Sequence, residues 1–297
     1  MTRRILTSSE IRTWDTCQKR WWFRYHEELV PERGQKALSY GRAVHAGLEA
    51  YHSGLDPKEA IQKAMDEAGG TWLAQESVYV LAEATALVKK YAEHDPVTEM
   101  GHTVEATERQ FSVPLRTPSG RRWPSIEFHG KIDLATRDGH GNLWIWDHKT
   151  SATALKVQWL PLNDQMGYYY WAASQLGETP VGIVYDLIRK PSIQPRKGEG
   201  ADEWQDRLLA DIDTRPDFYF QRAEIVKSAG ELGEIEADLW DVAHRIGTGR
   251  IRRSPNACQL MGCPYTDICT TDSALMRSVG YKHERAHVEL ELEGVEV

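Results

Sequence analysis

Between Ile126 and Leu134 apolar residues take alternate places: Ile126, Phe128, Ile132 and Leu134, with Glu127, His129, Lys131 and Asp133 between them. That period of two predicts a half-buried strand, interrupted where Gly130 leaves a gap in the apolar row. Asp138-Gly139-His140-Gly141-Asn142 is turn chemistry, and the Trp- and Ile-rich run Leu143 to Thr150 predicts the returning strand of a hairpin. Similar patterning predicts strands at His102–Leu115, Val181–Ile188 and Phe218–Ile225. Helical spacing predicts helices at Ser8–His26, Leu38–Tyr51, Asp56–Ala68, Thr71–His94, Gln158–Leu176, Ala201–Ala210 and Ser228–Ile246. The pair between Asp56 and His94 carries no chemistry and is expected to be a helical insertion. The acidic, alternating tail His287–Val297 is either an edge strand or disordered, with no function assigned.

With a five-residue loop from Asp138 to Asn142, Arg137 faces Leu143, and counting back along the ladder Asp133 faces Asp147. Side-chain alternation then adds Lys149 to the same face. Two carboxylates about 5 Å apart repel by roughly 3 kcal/mol at an effective dielectric of about 20, so a divalent cation or the Lys149 ammonium must compensate them. An acid and a lysine two apart on a strand are more often a solvated edge. Glu105 and Glu108, on the preceding strand, are expected to be solvated strand face.

Composition narrows the setting. The 297 residues suffice for a large core, and a net charge of -8 argues against a protein that coats nucleic acid generally, while leaving room for local basic patches. One such patch is Arg245, Arg250, Arg252 and Arg253, with no acid between Arg245 and Arg253; its competing reading is a solvated linker. Another is Arg12, Lys19, Arg20 and Arg24 interleaved with Trp21, Trp22, Phe23 and Tyr25, able to grip phosphates and stack bases, or to form a core-packed helix with solvated arginines. No 18-residue apolar run exists and Met1–Glu10 lacks the apolar core of a signal peptide, so a cytoplasmic protein without a membrane span is expected.

Of the four cysteines, Cys258, Cys263 and Cys269 cluster, whereas Cys17 precedes Cys258 by 241 residues, so any four-cysteine site must join both ends of the chain. Four thiolates can hold zinc or an iron-sulfur cluster; one distant and three clustered cysteines look unlike a zinc ribbon.

Asp133 followed by Asp147-His148-Lys149 resembles the active-site hairpin of the PD-(D/E)XK nucleases, with Ile132 in the place of the family's Pro. The wider set of Cys17, Gly41-x3-His45, Gly130-x2-Asp133, Asp147-His148-Lys149-Thr150, Gln165-x3-Tyr169 and the three late cysteines is similar to the iron-sulfur branch of the RecB-like exonucleases. That branch includes the CRISPR-associated adaptation nuclease, the AddB nuclease domain and phage relatives. Cys258-x4-Cys263 departs from the shorter gap common there.

The resemblance implies an α/β fold with a restriction-endonuclease-like mixed central sheet flanked by helices, a helical insertion, and an iron-sulfur clamp joining the N- and C-terminal segments. Its regions would be 1–36 with the first cluster cysteine, 37–100 with the His motif, 101–228 as nuclease core and 229–297 with the remaining cysteines. It implies that His45, Asp133, Asp147 and the main-chain carbonyl of His148 bind Mg2+ or Mn2+. An imidazole among carboxylates tilts the preference toward Mn2+. Asp133, Asp147 and Lys149 would be catalytic, Gln165 and Tyr169 would position DNA, and Cys17, Cys258, Cys263 and Cys269 would hold a 4Fe-4S cluster. Arg20, Arg24, Arg250, Arg252 and Arg253 are the candidate DNA-binding residues. The implied activity is a metal-dependent deoxyribonuclease acting from single-stranded or free ends, in recombination, repair or phage DNA processing, with a helicase, recombinase or integrase as partner. The alternatives are an endonuclease of the same superfamily and an inactive DNA-binding scaffold.

Overall fold

A computed structural model describes residues 4–32, 36–67, 74–117, 119–271, 273–287 and 290, so most of the acidic tail lies outside the described residues, as do 68 and 71–73 of the two helices of the expected insertion. In chain order the first part contains β1 (Arg4–Leu6), α1 (Ser8–Thr16), α2 (Gln18–Trp21), a π-helical turn at Trp22–His26, β2 (Leu29–Pro31), α3 (Lys36–His52), α4 (Pro57–Glu67), α5 (Ala74–His94) and α6 (Pro96–Glu99). The centre holds β3 (Thr103–Arg116), β4 (Arg122–Arg137), β5 (Leu143–Ser151), a 3-10 turn at Val157–Leu162, α7 (Asp164–Gln175) and β6 (Gly182–Arg189). The chain then adds α8 (Ala201–Thr214), α9 (Pro216–Tyr219), β7 (Phe220–Ile225), α10 (Ala229–Thr248), α11 (Pro255–Met261), α12 (Thr266–Thr271), α13 (Ala274–Gly280) and β8 (Tyr281–His283).

Six strands form one mixed sheet, in which β3, β1 and β5 all pair with the long β4, β6 follows β5 in parallel, and β7 closes the far edge antiparallel. Helices cover both faces. On one face Trp14 of α1, Met166 and Trp171 of α7 and Leu239 and Val242 of α10 pack on Phe128, Ile145 and Ile183. On the other, Tyr40, Ala43, Val44 and Leu48 form the helical stripe of α3 and meet Ile61 of α4, Leu87 and Tyr91 of α5, and Trp204 and Leu208 of α8. Beyond the sheet, β2 and β8 pair as a small ribbon that joins the N- and C-terminal segments. Among the described residues no helix is long and apolar enough to cross a membrane.

Two predicted helices are broken, each for a local reason. In Ser8–His26 the hydroxyls of Thr13 and Thr16 donate to the carbonyls of Ser9 and Arg12 at 2.8 and 2.7 Å, a pattern that bends helices. The chain then leaves the helix at Cys17, whose backbone is extended, with φ -164° and ψ 114°. In Gln158–Leu176, Pro161 confines the first residues to a 3-10 turn and Asn163 caps α7 by accepting the Met166 N–H at 3.4 Å. Gly130 is a close-approach glycine, because a side chain there would collide with the ring of Phe111, which fills the gap in the apolar row.

Candidate active site

β4 offers two edges. β3 takes one along its length, while the other is shared: β1 pairs at Ile126–Phe128 and β5 only at Leu134–Arg137. Between these two pairings the sheet opens into a fork. Arg137 faces Leu143 as predicted, yet the β4–β5 ladder stops at Leu134 and Trp146, one pair short of the predicted Asp133–Asp147 contact. Asp133 instead accepts the backbone N–H of His148 through Oδ2 at 2.8 Å, replacing the lost ladder bond with a side-chain bond.

Among the described residues, the fork holds the one group of three metal-ligating side chains whose ligand atoms all lie within 4.8 Å of one another: His45, Glu108 and Asp133. α3 delivers His45, packing so close to β5 that a side chain at Gly41 would press on the Thr150 hydroxyl. His45 Nδ1 lies 3.8 Å from Asp133 Oδ2. Burial lowers the His45 pKa to about 4, leaving the neutral imidazole that a metal requires. Glu108 corrects the expectation of a solvated strand face. Its side chain is only 15% exposed and pairs with Lys131. Its φ of 48° is a left-handed backbone unusual for Glu and so a mark of local strain.

Asp147 and Lys149 lie two apart on β5, and the ammonium donates to Asp147 Oδ1 at 2.7 Å. Asp147 is 1% exposed and its other oxygen, Oδ2, is buried without a hydrogen-bond partner. Burial pushes its pKa up to about 6, against the pull of Lys149. Lys149 shifts upward too, since Asp147 and Asp133 outweigh the burial that would lower it, and it stays a cation. For Asp133, burial raises the pKa, but His45, Lys149 and His148 together hold it below the usual carboxylate range. A buried carboxylate oxygen lacking a donor is what a hard divalent cation would satisfy, so the donor set fits Mg2+ or Mn2+. Asp147 stands outside the close three-residue group, however.

Behind the fork is a charged ladder that the sequence did not disclose. His148, Asp186 and Arg222 are lateral neighbours across β5, β6 and β7. His148 Nδ1 meets Asp186 Oδ2 at 2.9 Å, and Arg222 Nε lies 2.7 Å from Asp186 Oδ1 without hydrogen-bond alignment. Burial would lower the His148 pKa, but the Asp186 carboxylate raises it. The available signal was the lone acid in the otherwise apolar run Gly182–Ile188.

Gln165 and Tyr169 share one face of α7, with Gln165 Nε2 donating to the Tyr169 hydroxyl at 2.7 Å. Tyr169 is buried and sits within electrostatic reach of Asp147 and Lys149. Arg24 is engaged with the Glu284 carbonyl at 3.2 Å, and Arg253 with the Cys269 carbonyl at 2.6 Å. Arg20 lies near Cys263 and Tyr265, while Arg250 and Arg252 are exposed. Trp21 and Phe23 are buried, as the core-packed reading of the aromatic run requires. All four cysteines are free thiols. Cys17 and Cys258 act electrostatically on Cys263, whose pKa burial raises. Among the described residues no three cysteine sulfurs lie within 4.8 Å of one another.

Residues 5–270 match the family described as the PD-(D/E)XK nuclease superfamily. Among curated proteins none matches the chain. Of solved structures, a Eubacterium rectale protein named "Putative exonuclease" aligns over 93% of this chain and 92% of its own at 12% identity and a TM-score of 0.50, a likeness of fold. The protein SSO0001 aligns over 91% of this chain and 87% of its own at 12% identity and a TM-score of 0.43.

Proposed function

Because the chain belongs to the PD-(D/E)XK nuclease superfamily, we propose that it is a metal-dependent deoxyribonuclease whose active site is the fork in the sheet. The observation that carries this reading is the convergence of His45, Glu108 and Asp133 beside the Asp147–Lys149 pair. His45, Asp133 and Asp147, with Glu108 or the His148 carbonyl, would hold Mg2+ or Mn2+. The ion supplies Lewis-acid polarisation of the scissile phosphate and a more acidic water. Lys149, kept cationic by its two carboxylates, orients the attacking water and stabilises charge building on phosphorus. Gln165 and Tyr169 position the strand. Action on single-stranded ends rests on the resemblance to RecB-like exonucleases; the Eubacterium rectale structure of similar fold bears the name of an exonuclease and lends support only to action from ends. Incubation of end-labelled and closed circular DNA with purified protein and Mn2+ tests the reading. Loss of end label with circles intact is expected; cut circles would make it an endonuclease, and no cleavage of either a scaffold.

We further propose that Cys17, Cys258, Cys263 and Cys269 hold a structural 4Fe-4S cluster, as in the iron-sulfur branch. What supports a shared site is that Cys17 and Cys258 lie within electrostatic reach of Cys263, and four thiolates can hold a four-iron cluster. Protein purified without oxygen should be brown and contain about four irons per chain. One zinc and no iron would refute the cluster. A helicase, recombinase or integrase would supply the DNA end.

A further inference from the structure

Lys131 stands at the fork without a part in the chemistry proposed above. It lies two residues before Asp133 on β4, so the two side chains leave the same face of the strand. On β3, Thr107 pairs with Leu134 and Arg109 with Ile132, which sets Glu108 opposite Asp133. Like charges directly opposite on neighbouring strands repel, and Lys131, whose ammonium pairs with Glu108, is a cation placed to compensate them. Asp133 also acts on it electrostatically, as does Glu49, which follows His45 by one turn of α3. Its own charge reaches the His45 imidazole.

Glu108 therefore has two claimants. Its carboxylate belongs with His45 and Asp133 to the group whose ligand atoms lie within 4.8 Å of one another, and the same carboxylate is paired with Lys131. Even with an oxygen each, an ammonium and a divalent ion repel across one carboxylate, and the ammonium neutralises charge that attracts the ion. Lys131 is also able to yield. Its side chain is 35% exposed against 15% for Glu108, and a lysine carries a point charge on a flexible stem, free to turn into water while the carboxylate stays.

We propose that Lys131 sets the metal affinity of the fork by competing with the divalent ion for the Glu108 carboxylate. The inference rests on the nuclease reading for the presence of that ion. Mn2+ binding is measured by titration calorimetry on the full chain without DNA, and weakening by His45→Ala identifies it as binding at the fork. Lys131→Met and Lys131→Gln should each bind Mn2+ about tenfold tighter than the parent, while Lys131→Arg, which keeps the charge, should show no gain. Glu108→Gln removes the contested carboxylate, so adding Lys131→Met to it should change the affinity less than about twofold. Affinity unchanged or lowered in Lys131→Met and Lys131→Gln, or raised as much in Lys131→Arg, overturns the proposal and leaves a structural ion pair. An equal gain with and without the Glu108 carboxylate overturns it too, since Lys131 would then act only by its charge at a distance. Mn2+ binding that His45→Ala leaves untouched, or no binding at all, overturns it together with the metal-dependent reading. Metal binding and DNA cleavage by the parent with no response at Lys131 would defeat this proposal alone; the expected affinities in a protein that cuts no DNA would defeat the nuclease reading and leave the competition standing.

Discussion

The fork and the terminal seam hold charged groups by opposite means. At the fork, Asp147 and Asp186 are almost wholly buried and each is matched by a cation on its own or a neighbouring strand. At the seam, where β2 meets β8, the apolar cluster has among the described residues five buried members, Phe23, Leu29, Tyr265, Ile268 and Tyr281, and ion pairs such as Arg277–Glu27 are partly exposed. So small a cluster contributes little against the entropy of two chain segments. The fork needs no tie beyond the sheet; the seam is where a cross-link adds most.

The largest effect should come from the fork's charges. Asp147→Asn and Lys149→Met should each slow degradation of end-labelled single-stranded DNA in Mn2+ by about 10³-fold or more, with thermal unfolding retained. A rate within tenfold of the parent in either would remove the fork from the chemistry. Next, Arg222→Met removes one of the cations facing Asp186, leaving it His148 and the Tyr91 hydroxyl, and should cost about 3 kcal/mol in urea unfolding, the low end for a broken buried pair because Arg222 is 21% exposed. Glu108→Gln should raise the Mn2+ concentration for half-maximal rate by at least about tenfold. An unchanged metal requirement would return Glu108 to a plain ion pair with Lys131. Smallest of all, Arg277→Met at the seam should cost under about 1 kcal/mol. Equal losses from Arg222→Met and Arg277→Met would erase the contrast between the two regions.

Local periodicity made the hairpin legible, down to Arg137 opposite Leu143, and spacing of four placed Gln165 against Tyr169. The opening of the fork was not legible, because it depends on β1, three residues with no period of their own, taking the other stretch of β4's edge. Glu108 was misjudged for a similar reason: its burial against Lys131 depends on a backbone twist at one residue, which strand patterning does not encode. The His148–Asp186–Arg222 ladder needs the order of strands, and alternation within a strand says nothing about its neighbours. Cysteine spacing did require the chain's two ends to meet, and the Tyr265 hydroxyl donating to the Leu29 carbonyl at 2.8 Å is one place where they do.

Glu10, on the first helix, is 2% exposed and is bonded by Arg4 at 2.6 Å, Trp21 at 2.8 Å and His287 at 3.1 Å. The last of these partners lies 277 residues downstream. At a synthesis rate of about 5–20 residues per second, that carboxylate waits about 14–55 s for it on the ribosome. The hairpin can close in that interval, since its strands are made within moments of each other. α1 is therefore completed only after residue 287 has been made, and the time for which it stands open is set at the least by the speed of translation.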